Sequence, residues 1–296
     1  MKNTTLGKLE KKSRQYEDYE TDKIITWCSN CGNYSIQNAL KRAFVLEGYK
    51  PNDFLLCYDV GCSGNGSDKI EANTVHGLHG RVLSLAAGAG IANSKMKIIA
   101  EAGDGATFSE GVNHLVHAVR NNYPIMFIFH NNENYGLTTG QASALTRVGT
   151  KMNAAPEGVN VEPLNACDFV LSLKPSFVAR SYSGDPDHIT EMLRKGLKHK
   201  GFAFIEIFQA CPTYNRETPD HWFAQRVKDI KDLKKYDKSD IWQARKIIQD
   251  LENEIYIGHI YEDKNRKSFA EVQDHRKGVK TVLRDEVKHY DINNLI

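Results

Sequence analysis

The stretch from Lys97 to Asn134 limits the possible folds more than any other part of the chain. Lys97-Ile-Ile-Ala-Glu-Ala102 reads as a short strand. Ser109 can cap the next helix, with Glu110 in the first turn. Val112, Leu115, Val116 and Val119 then fall at i, i+3, i+4 and i+7, the apolar face of one helix. Pro124-Ile-Met-Phe-Ile-Phe129 is a near-continuous apolar run, as expected of a strand covered on both faces. A strand–helix–strand unit of this kind predicts parallel strands joined by a right-handed crossover. Two polar loops follow the strands: Gly103-Asp104-Gly105, and Asn131-Asn132-Glu133-Asn134-Tyr135-Gly136. Both leave the carboxyl ends of neighbouring strands, where open α/β sheets bind ligands.

A lone Gly-Asp-Gly is a common turn, and either loop alone reads as ordinary surface. Together they supply a divalent-cation and diphosphate site. Magnesium takes hard oxygen ligands and shares them with phosphates. Asp104 offers a carboxylate, Asn132 an amide oxygen, and the backbone carbonyl of Asn134 a third ligand. Gly103 and Gly105 let the backbone approach an anion.

At 296 residues with 41% hydrophobic content, the chain can bury one α/β core and an appendage. A formal net charge of +2 argues against a nucleic-acid footprint. The basic stretches Lys11-Lys12 and Lys228–Lys238 are interleaved with acids and read as solvated faces. The first residues contain no apolar leader core, and no run reaches the ~18 apolar residues of a membrane span. A cytoplasmic protein is therefore expected, with no membrane association. There, six cysteines point to metal or redox chemistry rather than to structural disulfides.

Cys28 and Cys31 form a Cys-x-x-Cys ahead of a helix whose apolar face is Ile36, Ala39, Leu40, Ala43 and Phe44. The positive end of that helix should favour thiolates. Cys62, in Asp59-Val-Gly-Cys-Ser-Gly, follows the strand Asp53–Tyr58. Cys211, in Gln209-Ala-Cys-Pro-Thr-Tyr-Asn215, follows the strand Gly201–Phe208. Cys62 and Cys211 therefore open loops at the sheet edge that carries the two polar loops. A redox dithiol needs only Cys28 and Cys31, whereas structural zinc would usually show a second Cys-x-x-Cys. A [4Fe–4S] cluster needs four thiolates. Spacing leaves the dithiol and the cluster level. Cys57 and Cys167 read as ordinary buried thiols.

The Gly-Asp-Gly and Asn-Asn pair resembles the diphosphate-binding domain of thiamine-diphosphate enzymes, which implies that Asp104, Asn132 and the Asn134 carbonyl hold Mg2+. A larger pattern narrows the family. Trp27-Cys-x-x-Cys-Gly32, Asp59-Val-Gly-Cys-Ser-Gly64, His76-Gly-Leu-His-Gly-Arg81, Gly-Asp-Gly, Asn-Asn-x-x-Tyr-Gly-Leu-Thr-x-Gly-Gln141 and Cys-Pro-Thr-Tyr-Asn215 occur in that order. This order resembles the β subunit of 2-oxoacid:ferredoxin oxidoreductases over about residues 24 to 216. The resemblance implies an α/β fold, with a mostly parallel sheet flanked by helices and a charged, largely helical C-terminal extension. It implies that Cys28, Cys31, Cys62 and Cys211 ligate one [4Fe–4S] cluster. It implies contacts to thiamine diphosphate from Gly61, Cys62, Ser63, His79, Gly105, Ala106, Gly136 and Leu137. His79 takes a catalytic role on this basis alone, while His76, His114, His117 and His130 read as ordinary polar groups.

The implied reaction is oxidative decarboxylation of a 2-oxoacid with coenzyme A, electrons passing from thiamine through the cluster to ferredoxin. In thiamine enzymes a glutamate acts from a separate pyrimidine-binding domain, and no second sheet of that size fits here. The resemblance therefore implies an α subunit that brings this domain, in an α2β2 or (αβ)n assembly. Two other readings stand beside it: a non-oxidative thiamine lyase or transferase subunit, and a non-catalytic subunit with structural zinc.

The chain departs from the family pattern at two positions. Ala106 stands where many relatives carry a second Asp, which removes a polar contact. Asn65 stands where many carry Lys or Arg, which leaves the substrate open; Lys69 is a candidate for the same work. Residues 1–20 read as a polar arm, residues 21–216 as the cofactor domain, and 217–296 as the extension. Within the extension, Ile241, Trp242, Ala244, Ile247, Ile248 and Leu251 mark an amphipathic helix that Ser239 could cap. Tyr261–Val279 shows no clear period.

Overall fold

A computed structural model describes residues 16–287. Eight strands form one sheet: β1 (Phe54–Tyr58), β2 (Asn73–His76), β3 (Lys97–Gly103), β4 (Ile125–Asn131), β5 (Phe177–Tyr182), β6 (Ala203–Phe208), β7 (Val227–Asp229) and β8 (Ile255–Glu262). Their spatial order is β2-β1-β3-β4-β6-β5-β8-β7. The strands from β2 through β5 run parallel, and β8 pairs antiparallel with β5. The predicted strand–helix–strand unit is present, with β3 and β4 in register from Ile98–Ile125 to Gly103–His130.

Period-two alternation splits the core into two layers. Ile98, Ala100, Phe127, Phe129 and Phe204 face α2 (Val82–Ala92), α3 (Val112–Asn121) and α4 (Ala166–Ser172). Ile99, Met126, Ile128, Ile205 and Ile207 face α1 (Gly32–Glu47) and α5 (Pro186–Lys198). The expected apolar face of α1 is buried in full. Among the described residues, no helix is long and apolar enough to cross a membrane.

Several local expectations require correction. Ser109 does not cap a helix. Gly105–Glu110 winds as a π-helix, α3 starts after Gly111, and the Ser109 hydroxyl accepts from the Ala144 N–H instead. Most of the polar arm falls on residues 1–15, outside the described residues. Its described end is anchored: Tyr19 is buried, with its ring stacked 6.2 Å from Phe54. The extension is less helical than expected and is part of the same sheet, since β8 pairs with β5 and carries β7. Its helix α7 (Ile241–Ile247), which comes after the five-residue α6 (Asp220–Ala224), is capped by Asp240, whose carboxylate accepts from Trp242 and Gln243. Ser239 donates to Asp237, and Trp242 lies 73% exposed rather than on the packed face.

A buried ion pair joins β5, β6 and the extension. Arg180 Nε donates to Glu206 Oε2 at 2.6 Å, Nη2 donates to Asn165, and Nη1 donates to the Ile248 carbonyl of the extension at 3.5 Å. The Cys167 thiol also donates to Glu206, at 3.0 Å, so this cysteine is an inert buried thiol as expected. Removing one partner of such a pair strands a buried charge. Arg180→Ala should cost about 3–5 kcal/mol in urea unfolding. A loss below about 1 kcal/mol would show that the pair is dispensable.

Candidate active site

Asp59 sits at the end of β1, and its carboxylate collects four donors. Oδ1 accepts from the Val60 and Gly80 N–H groups at 2.8 Å each and lies 3.2 Å from His79 Nδ1; Oδ2 accepts from the Val82 N–H. Because the Asp59 carboxylate can only accept, His79 turns its Nδ1–H to Asp59, and Nε2 takes no part in that contact. The His79 ring stands edge-on to Tyr135, with centroids 6.0 Å apart.

One pocket gathers the residues expected to touch cofactor. The segments after β1 and β2 supply Gly61, Cys62, Ser63 and His79 to its lining, the turn after β3 supplies Asp104, Gly105 and Ala106, and the loop after β4 supplies Asn132, Asn134, Gly136 and Leu137. Gly61 holds φ +143°, a conformation that an L side chain rarely adopts. Gly103 is open to the pocket as expected. At Gly105 the reason for glycine differs: a Cβ there would meet the Tyr135 ring at 2.4 Å, so the space belongs to an aromatic rather than to an anion.

Asp104 is buried, and desolvation pushes its carboxyl up to about 7, against the lowering pull of a hydrogen bond from Ser143. Glu133 sits between Asn132 and Asn134 with φ +58°. It is clamped by Arg147, whose Nε lies 3.0 and 2.9 Å from its two oxygens. This left-handed turn lets both asparagines line the pocket. Asn132 Oδ1 accepts only a long bond from the Asn134 N–H, at 3.2 Å, and keeps a second lone pair. Asn134 Oδ1 and Ser63 Oγ are buried with no partner among the described residues. A buried carboxyl short of counter-charge, beside amide oxygens with spare lone pairs, is a donor set that suits a hard divalent cation.

The cysteines meet at the pocket's edge. A Cβ on Gly136 would lie 3.2 Å from Cys62 Sγ and 3.9 Å from Cys211 Sγ, so the missing side chain keeps the two sulfurs open to each other. The Trp27 Nε1–H donates to the Cys62 carbonyl at 2.7 Å, tying the Cys28 segment to the third cysteine. Cys28 is exposed, Cys31 and Cys62 are half-buried, and Cys211 is buried. The expected thiolate-favouring effect of α1 is outweighed. Burial pushes the Cys31 thiol up and Cys62 up to about 12, and the neighbouring thiols add to both shifts. Among the described residues, no three His, Cys, Asp or Glu side chains converge on a single ion. A cubane takes one thiolate per iron, so its ligands stand wider than those of one tetrahedral ion.

Sequence reasoning missed Asn33, His130, Tyr135 and Gln209, which also line the pocket. Both ring nitrogens of His130 have partners, so it is a satisfied buried group that also lines the pocket. Its Nε2 lies 3.1 Å from Glu101 Oε2, and its Nδ1 lies 3.1 Å from Asn33 Oδ1 and from Gln209 Oε1. Lys69 does not reach the pocket; its Nζ is buried on Asp68 at 2.7 Å.

Two family models match the chain. Residues 59–207 match the thiamine pyrophosphate enzyme C-terminal TPP-binding domain. Residues 211–277 match the C-terminal model of the pyruvate ferredoxin oxidoreductase beta subunit. The chain is 35% identical to the 2-oxoacid:ferredoxin oxidoreductase subunit beta of Saccharolobus solfataricus, over 76% of this chain and 77% of that one. It is 34% identical to the 2-oxoglutarate synthase subunit KorB of Methanocaldococcus jannaschii, over 64% and 70% of the two chains. Among solved structures it resembles a 2-oxoglutarate:ferredoxin oxidoreductase from Magnetococcus marinus with 2-oxoglutarate, coenzyme A and succinyl-CoA bound. The TM-score is 0.85 at 27% identity, covering 95% of this chain and 94% of that one.

The Asp104 environment sets a pH signature. Without a cation, the folded chain holds the Asp104 proton more tightly than the unfolded chain does. Its stability therefore falls as pH rises from about 4 to about 7, and then levels. Asp104→Asn removes that dependence and should gain up to about 4 kcal/mol on wild type at pH 8 in chelator. Thermal unfolding across this range checks it; a wild-type-minus-variant difference that is flat from pH 4 to 7 contradicts it.

Proposed function

Because the chain belongs to the β subunits of the 2-oxoacid:ferredoxin oxidoreductases, we propose that it works with an α subunit to decarboxylate a 2-oxoacid oxidatively, yielding acyl-CoA and carbon dioxide. Bound thiamine diphosphate supplies the electron sink for decarboxylation, and a [4Fe–4S] cluster supplies a one-electron outlet to ferredoxin. The carrying observation is that one pocket contains the Asp104, Asn132 and Asn134 donors while Cys62 and Cys211 flank its Gly136.

Asp104, the Asn132 side chain and the Asn134 carbonyl hold Mg2+ against the diphosphate. Gly61 leaves the backbone uncovered where the cofactor would lie, and Gly105 and Ala106 line the same pocket. His79, fixed by Asp59, presents Nε2 to the cofactor as a proton acceptor. Cys28, Cys31, Cys62 and Cys211 hold the cluster. The raised pKa values of Cys31 and Cys62 fit thiols that ionise only when iron supplies the counter-charge. A non-oxidative thiamine subunit would leave this convergence of sulfurs without a role.

Leu137, which lines the pocket, stands 46% exposed, and Leu78, next in sequence to the lining residue His79, stands 78% exposed. Apolar side chains so placed fit a surface covered by the α subunit, which brings the pyrimidine half of the site. The glutamate that activates the cofactor belongs to that subunit.

Anaerobic mixing with the cognate α subunit tests the division of labour. The mixture should reduce a viologen in a 2-oxoacid- and coenzyme-A-dependent way, and neither chain should do so alone. A panel of pyruvate, 2-oxoglutarate, branched-chain and aryl oxoacids identifies the substrate. Asp104→Ala should lower the rate on the order of 100-fold or more. Cys62→Ala should lose iron and acid-labile sulfide together while retaining thiamine diphosphate. Turnover by this chain alone, or a colourless zinc protein, would refute the reading.

A further inference from the structure

Among the described residues, Gln209 is the one pocket residue whose side chain touches a cysteine sulfur and the buried histidine network together. Its Nε2 lies 3.5 Å from Cys31 Sγ, and its Oε1 lies 3.1 Å from His130 Nδ1. His130 Nε2 in turn meets Glu101 Oε2 at 3.1 Å. The chain Glu101–His130–Gln209–Cys31 thus crosses from β3 through β4 to the loop after β6. The Gln209 backbone is pinned as well, because its N–H donates to the Asn131 carbonyl at 2.9 Å.

Gly32 makes room for this arrangement. A Cβ there would stand 2.5 Å from Gln209 Cγ and 2.7 Å from Ser183 Oγ. The glycine after the second cysteine therefore lets the Gln209 side chain cross the start of α1 and reach the sulfur. Gln209 is also almost fully buried, with 1% of its surface exposed. Glu101, Asn33 and Gln209 all present oxygens to the His130 ring, so this arrangement takes a proton on each ring nitrogen; with its oxygen so held, the Gln209 amide turns its N–H groups toward Cys31.

We propose that Gln209 is a positioning residue that donates a hydrogen bond to the Cys31 sulfur and thereby raises the reduction potential of the cluster bound there, with His130 and Glu101 fixing which end of the amide faces the sulfur. This rests on the proposed cluster. Reduction adds negative charge that spreads onto the thiolate sulfurs, and an N–H donor stabilises that charge more in the reduced state than in the oxidised one. Gln209 lies two residues before Cys211, so a single loop supplies both a ligand and the donor that tunes another ligand.

The test is an EPR-monitored redox titration of the anaerobic αβ complex carrying Gln209→Leu or Gln209→Met; the second substitution keeps the length of the side chain without the N–H. Both variants should keep wild-type iron and sulfide content and thermal stability, and both midpoint potentials should move negative. His130→Leu, which frees the amide to rotate, should move the potential the same way. An unchanged or more positive potential in both Gln209 variants overturns the inference while leaving the cluster assignment standing. A wild-type complex without iron and sulfide would instead overturn the functional reading, and this inference with it.

Discussion

Burial of the parallel sheet on both faces is the constraint on which the rest of this molecule depends. β1, β3, β4 and β6 are sheathed by α1 and α5 on one face and by α2, α3 and α4 on the other. Their side chains have no water to face until the strands end. Polar chemistry therefore collects at the carboxyl edge: Asp59 after β1, Asp104 after β3, Asn132 after β4 and Gln209 after β6. Each loop is then locked to its neighbours. Asp59 gathers the start of α2, the Asn215 amide donates to the Asn132 carbonyl, and Trp27 binds the Cys62 carbonyl.

The site is electrostatically incomplete as a bare polypeptide. Asp104 and the thiols of Cys31 and Cys62 all ionise less readily than they would in water, because burial penalises their charged forms. Cations reverse that penalty, so a site of this kind gains order and charge from what it binds. Arg147 offsets part of the same penalty for Glu133, though burial still holds that carboxyl above its ordinary range. Arg147 lies between Glu133 and the extension, stacked over Trp222 with its guanidinium 4.4 Å from the ring. The C-terminal segment thereby holds the turn that carries Asn132 and Asn134.

Much of this is legible in the sequence because local signals agree. The apolar run at Pro124–Phe129, the helical spacing from Val112 to Val119 and the cysteines flanking strand ends each point to the same edge. The features that sequence does not reveal depend on distant partners. β8 alternates only loosely through Gly258 and His259, and its burial comes from pairing with β5 far away in the chain. His130 looks unremarkable in sequence because Glu101, Asn33 and Gln209 come from three separate segments. Ser109 has the right spacing for a cap, but the chain winds a π-helix from Gly105 to Glu110 and delays the helix to Gly111. At Cys31 the burial of the thiol outweighs the lowering pull of the Asn33 backbone N–H at the start of α1.

Crystals of the αβ complex grown without oxygen, with anomalous diffraction collected on either side of the iron edge and of the zinc edge, would show directly which metal the cysteines hold. The account predicts one iron-dependent density enclosed by Cys28, Cys31, Cys62 and Cys211, beside the pocket formed by Asp104 and Asn132. Density appearing only at the zinc edge, or iron bound away from these four sulfurs, would contradict it.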